Sequence, residues 1–209
     1  MTTLMVIAKE PVPGRVKTRL TPPYRPAQAA ALAEAALADT LDAVARCPAE
    51  RRVLVLDGRP GRWLPPGFEV VPQAAGGLDE RLAAAFAGCA GPALLIGMDT
   101  PQVTPELLAP ALQPDARAPG AWFGPAADGG FWALGLTRPD PRLLRGVPMS
   151  TPYTGRAQYD RLTGAGLSVR LLPRLRDVDT AADAEEVARL TPGSRFAAAF
   201  ARCTTGAAV

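Results

Sequence analysis

The sequence predicts an α/β domain, a mainly parallel sheet with helices on both faces, on three observations. Short apolar runs alternate with longer segments of helical periodicity at regular spacing. The basic, acidic and glycine-bearing motifs fall where the short runs end, which is where open α/β sheets bind ligands. No repeat or long linker divides the 209 residues, so one domain over 1–209, with its core at about 4–190, is expected.

The first run, residues 4–8, is too short for a helix and reads as a buried strand. It leads into Lys9-Glu-Pro-Val-Pro-Gly-Arg-Val-Lys-Thr-Arg-Leu20. Two prolines and Gly14 keep this loop irregular, leaving backbone N–H groups to face an anion, while Lys9, Arg15, Lys17 and Arg19 supply positive charge. The chain has 21 arginines and only two lysines, and both lysines lie here. A compact ammonium aimed at a phosphate explains that choice. The spacing is neither that of a Walker A loop nor that of a Gly-x-Gly-x-x-Gly dinucleotide fingerprint.

Pro26 suits the first turn of a helix over 26–46, with Ala33, Leu37, Leu41 and Val44 on its apolar face. Residues 53–56 read as a second strand, 58–67 as a surface connection with Trp63, and 68–71 as a third strand ending near Gln73. A helix is expected over 78–89, with Asp79 and Glu80 in the dipole-favoured first turn. The most apolar strand, 93–97, ends in Met98-Asp99-Thr100-Pro101; Thr104 and Pro105 then cap and start another helix.

Beyond a proline-rich connection at 113–119, strands are expected over 121–124 and 131–136, joined by Pro125-Ala-Ala-Asp128-Gly129-Gly130. The stretch 137–151 reads as irregular, 154–162 as a helix and 167–172 as the last strand. Asp177-Val-Asp179-Thr180 follows, with Thr180 and Asp183 able to form a capping box for a helix over 181–190. A short helix over 196–201 and a frayed end complete the chain.

Composition excludes several classes. There is no histidine, which removes Ser-His-Asp and Cys-His catalysis and histidine metal ligands together. Cys47, Cys89 and Cys203 are too scattered for a zinc site or disulfide framework. The formal charge of +3 is spread among acids, so no nucleic-acid partner is expected. No apolar segment reaches the length of a membrane span, and a cytoplasmic protein without membrane attachment is expected.

Chemistry must therefore use carboxylates, ammonium and guanidinium groups, hydroxyls and backbone dipoles, with or without a hard cation. Asp99, at the tip of the most apolar strand, is placed to hold Mg²⁺ or Mn²⁺, or simply starts the turn at Thr100-Pro101. Alternation around Val178 puts Asp177 and Asp179 on one face of an extended segment, as further ligands of that cation or as solvated acids before a helix. Asp128 with Gly129 and Gly130 can bind an acceptor, with Asp128 as a base, or form an ordinary hairpin turn. Gln73 can read a base edge through its amide or stand idle on the surface.

Taken together, Ala8-Lys-Glu-Pro-Val-Pro-Gly-Arg-Val-Lys-Thr-Arg-Leu20, Leu95-Ile-Gly-Met-Asp-Thr-Pro101, Gly124-Pro-Ala-Ala-Asp-Gly-Gly-Phe131 and Asp177-Val-Asp-Thr180 resemble the glycosyltransferase-A (GT-A) superfamily of nucleotide-diphospho-sugar transferases and nucleotidyltransferases. More narrowly they resemble a bacterial family that is similar to phospholactate guanylyltransferase and often labelled an arsenosugar-type glycosyltransferase. The resemblance implies a nucleotide-binding loop that includes Ala8, with Lys17 on the nucleotide phosphates and Asp99 on a divalent cation. It also implies Asp179 or Asp177 on the cation's second side and the Asp128-Gly-Gly turn at the acceptor. Where that family shows Gly-Asp-Leu-Gly-Glu-Arg, this chain has Gly76-Gly-Leu-Asp-Glu-Arg81.

Two reactions fit. Mg²⁺-dependent nucleotidyl transfer from a nucleoside triphosphate to a small phosphorylated or hydroxylated acceptor suits the basic loop. Glycosyl transfer from a nucleotide sugar is the alternative, although Gly97 stands where the usual Asp-x-Asp would place an acid. A nucleotide-binding protein without catalysis is a third possibility.

Overall fold

In a computed structural model, which describes residues 2–113 and 120–205, the chain forms one seven-stranded sheet with six α-helices. The strands are β1 (Thr3–Lys9), β2 (Arg51–Asp57), β3 (Glu69–Pro72), β4 (Ala93–Gly97), β5 (Gly120–Pro125), β6 (Phe131–Leu136) and β7 (Ser168–Leu171). The helices are α1 (Pro26–Ala45), α2 (Leu78–Ala87), α3 (Pro105–Leu112), α4 (Thr154–Gly164), α5 (Ala181–Leu190) and α6 (Arg195–Thr205). The expected connection at 113–119 lies, after Gln113, outside the described residues.

The strand order is β3-β2-β1-β4-β6-β5-β7. All pairings are parallel except those of β6, which runs antiparallel to both β4 and β5. The sheet is thus mainly parallel, with one reversed strand that apolar periodicity did not distinguish. An apolar run buried on both faces reads the same in either direction.

Alternation along β1 and β4 sends Leu4, Val6, Leu94 and Ile96 to one face, where they meet Ala33, Leu37 and Leu41 of α1 and Leu108 of α3. Met5 and Leu95 face the other way, onto Leu82 and Phe86 of α2 and Leu162 of α4. The central strands are therefore apolar on both sides, the condition for a covered parallel sheet. The short strands β3 and β7 close its two edges and are largely exposed.

A third cluster joins Leu32 and Ala36 of α1 to Val187 of α5 and Phe196, Ala199 and Cys203 of α6. The last helix runs eleven residues, longer than the 196–201 expected, and the packed core extends past 190. Its first turn is held by Asp39 of α1, whose carboxylate accepts from Arg195 N at 3.2 Å and Phe196 N at 2.8 Å. Ser194 also caps this start locally, its Oγ accepting from Ala197 N at 2.9 Å, so the distant carboxylate adds to an ordinary serine cap. Among the described residues no helix is long and apolar enough to cross a membrane.

Candidate active site

The chain lays down β1, β2 and β3 in one direction, then returns to place β4 on the free side of β1. The C-terminal ends of β1 and β4 therefore diverge, and open α/β sheets bind ligands at such a switch point. The basic loop leaves β1 here and Asp99 follows β4 here.

The loop is anchored at several points. Glu10 N continues the ladder to Asp57 O at 2.9 Å, and the Glu10 carboxylate accepts from Arg59 N at 2.9 Å, tying the loop to the β2–β3 connection. Arg15 N closes a turn onto Val12 O at 3.0 Å, with Gly14 at φ 77°. Val16 and Leu20 are buried on either side of Lys17 and drive it inwards. Lys17 itself takes a left-handed conformation, φ 49° and ψ 41°, before a single 3₁₀ turn at Thr18–Leu20. Among the described residues the amides of Gly14, Val16 and Lys17 have no acceptor.

The result is a lysine whose side chain is only 8% exposed. Its Nζ lies 2.9 Å from Asp99 Oδ2 and 2.8 Å from Asp179 Oδ1. Burial disfavours the charged ammonium, but the two carboxylates outweigh it and raise the pKa above the usual lysine value. Arg19 reaches Asp179 Oδ2 at 3.4 Å, while Lys9 and Arg15 are exposed on the rim.

Two clips bring the acidic motifs together. Val178 N donates to Asp99 O at 2.9 Å, and Gln102 Nε2 donates to Arg176 O at 2.8 Å. With Val178 buried, Asp177 and Asp179 turn towards Asp99 and Lys17. Burial, then the charges of Asp99 and Asp128, push the Asp177 carboxyl up to about 7, against the pull of Lys17. Gln102 is a site residue that sequence reading missed; a glutamine just beyond the Asp-Thr-Pro turn was its only trace.

Asp128 is exposed, and its carboxylate accepts from Gly130 N at 2.8 Å, closing the β5–β6 turn. Gly129 sits at φ 91°, and a Cβ there would lie 2.0 Å from Pro152 O. On the opposite side, a Cβ on Gly155 would lie 2.5 Å from Gly130 O, and Gly155 N donates to Gly129 O at 2.8 Å. The turn and the start of α4 are thus one locked unit, which requires glycine on both partners.

Gln73 is engaged by the protein's own groups. Its Nε2 donates to Ala8 O at 2.7 Å and to Val55 O at 3.3 Å, and its Oε1 accepts from Arg81 at 3.1 Å. The amide satisfies carbonyls of the two neighbouring parallel strands β1 and β2. Ala8 is buried in β1, and its carbonyl is the one that Gln73 meets. Asp79, which stands where the resembling family has glycine, accepts from Gly146 N at 2.8 Å and so holds α2 to the 137–151 stretch.

The donor set suits a hard divalent cation. It is all oxygen, and Asp99 Oδ1 is buried without a hydrogen-bond partner. Among the described residues no three acidic or thiol groups converge closely enough to hold an ion by themselves.

The comparisons with known proteins agree on the fold. The chain is similar to a Desulfovibrio desulfuricans G20 protein described as a candidate nucleotide-diphospho-sugar transferase, at 27% identity and TM-score 0.83, over 96% of this chain and 92% of that one. A CMP:2-keto-3-deoxy-manno-octonic acid synthetase solved with CTP shares the fold, at 14% identity and TM-score 0.54 over 90% of this chain and 97% of that one. So does Rv0371c of Mycobacterium tuberculosis H37Rv solved with manganese, at 21% identity and TM-score 0.52 over 89% and 96%. No curated protein matches the sequence. A protein-family model described as "Uncharacterized protein conserved in bacteria (DUF2064)" matches residues 30–151, a span that includes Asp99 and Asp128.

Proposed function

The chain belongs to this bacterial DUF2064 family, and from that premise we propose that it is a cytoplasmic nucleotidyltransferase using Mg²⁺ or Mn²⁺. It moves a nucleoside monophosphate from a nucleoside triphosphate to a small phosphorylated or hydroxylated acceptor. The observation that carries this reading is the 2.9 Å approach of Lys17 Nζ to Asp99 Oδ2 at the switch point of the sheet. A buried ammonium beside a carboxylate, under a loop with unpaired amides, is suited to a polyphosphate and the cation that accompanies it.

In this reading the Lys17 ammonium and the free amides of the loop hold the triphosphate, and Arg15 and Arg19 draw it in from the rim. An acceptor oxygen attacks the α-phosphorus; the new P–O bond forms as the bond to the β-phosphate bridging oxygen breaks, and pyrophosphate leaves. Lys17 neutralises charge that builds on the phosphate oxygens. For a hydroxyl acceptor, Asp128 takes the proton; a phosphate acceptor needs no base. Asp99, with Asp177 or Asp179, would hold the cation, whose chemistry is to polarise the phosphate and screen its charge.

Glycosyl transfer is the second reading, favoured by the likeness to the D. desulfuricans protein described as a candidate nucleotide-diphospho-sugar transferase. Screening nucleoside triphosphates and nucleotide sugars with Mg²⁺ or Mn²⁺ separates the readings. Pyrophosphate release supports nucleotidyl transfer, nucleoside diphosphate release supports glycosyl transfer, and binding without either product leaves a non-catalytic nucleotide binder.

A further inference from the structure

We propose that Lys17 is a resident cation of the acidic site, which competes with a divalent metal ion for its carboxylates, so that nucleotide-free protein takes up metal weakly. The inference rests on the reading of this crevice as a metal and phosphate site. Its new content is that the lysine and the metal compete for the same carboxylates before any nucleotide arrives.

The geometry is that of a bridging ion. One Nζ faces Asp99 Oδ2 at 2.9 Å and Asp179 Oδ1 at 2.8 Å, joining carboxylates from two separate loops. Two of its three donors are thereby engaged. The ammonium does not reach this place by chance sampling of a free side chain. Buried Val16 and Leu20 pin the loop on both sides, and the left-handed backbone at residue 17 aims the side chain inwards. Asp179 is further compensated by Arg19 at 3.4 Å.

A metal ion entering this cluster meets carboxylates already neutralised, and it is repelled by a positive charge a few ångströms away. A nucleotide changes that balance. Its phosphates offer the ammonium new partners and draw it off the carboxylates, which frees Asp99 to ligate. Linkage then requires that metal and nucleotide strengthen each other's binding. Lys17 would thus impose an order in which the polyphosphate comes first.

The test uses Mn²⁺ alone, without nucleotide, and reads free ion by electron paramagnetic resonance, with melting curves to verify folding. Lys17→Met is expected to bind Mn²⁺ at least about tenfold more tightly than wild type, because a nearby like charge has gone. Lys17→Arg, which keeps the charge, is expected to bind no more tightly than wild type. Lys17→Gln, uncharged and able to hydrogen-bond both carboxylates, should repeat the tightening and serves if the methionine variant does not fold. Equal affinity in wild type and the uncharged variants overturns the competition but leaves the metal-site reading intact. Tightening in Lys17→Arg as large as in Lys17→Met also overturns it, since loop disturbance would then be the cause. If no form binds Mn²⁺, the metal reading fails and the inference fails with it.

Discussion

Lys17 and Asp99 meet at 2.9 Å although one follows the first strand and the other the fourth. Adjacency of β1 and β4 in the sheet makes this possible, because their parallel register ends both strands at the same rim. Each group alone has an ordinary explanation, as a loop lysine or as a turn aspartate. Together, with Lys17 buried and also paired to Asp179, they define a charged floor to the crevice.

Asp99→Ala and Lys17→Ala are each expected to lower turnover roughly a hundredfold or more, the usual cost of removing one preorganised charge contact. Circular dichroism should show the fold retained. Steady-state product release with the nucleotide found in the screen measures the loss, and near-normal turnover in both variants contradicts the assignment.

Asp177 gives a pH dependence of stability. Its carboxyl titrates at about 7 in the fold against 3.8 as its ordinary value. Between those values the folded protein binds the extra proton, so this group's contribution favours folding at low pH and is lost as pH rises towards 7 and beyond. Asp177→Asn is therefore expected to melt several degrees higher than wild type at pH 8, with the gain vanishing near pH 4. Melting temperatures across that range check the sign; a lower melting temperature at pH 8 refutes it.

The lock between Gly129 and Pro152 predicts a strong effect of a single methyl group. Gly129→Ala would set a Cβ 2.0 Å from Pro152 O at φ 91°. A loss of about 1–3 kcal/mol is expected from chemical denaturation, from strain and local overpacking. In protein that remains folded, acceptor KM should rise more than nucleotide KM if the turn binds the acceptor as proposed.

Asp39 caps α6 from a distance and also pairs with Arg195 at 3.6 Å. Asp39→Ala should destabilise the protein by about 0.5–2 kcal/mol, as loss of a helix cap does. Limited proteolysis should then cut first in the α6 region; unchanged protection there would argue against the cap.

Gln73→Leu is expected to leave base preference unchanged and to lower stability by about 1–3 kcal/mol, since buried partners of its amide lose their hydrogen bonds. Competition among nucleotides and a denaturation curve separate the two effects.

By itself the sequence determined what depends on neighbours within a turn or two. The alternation of apolar runs marked the strands. Pro26 began α1, Thr104 capped α3 through Leu107 N at 3.4 Å, and Thr180 with Asp183 formed the box that starts α5. Phosphate-suited composition in the first loop and acids at strand ends were equally visible, because those signals need no partner.

Tertiary structure alone decided which of these groups touch. It reversed β6, placed β4 beside β1, and clipped the 176–178 segment to the Asp99 turn through Val178 and Gln102. It also engaged Gln73 with strand carbonyls and gave α6 a second cap from α1. The physical reason is range: periodicity and capping act over a few residues, whereas strand order is set by burying two apolar faces at once, and the bonds between loops follow from that order.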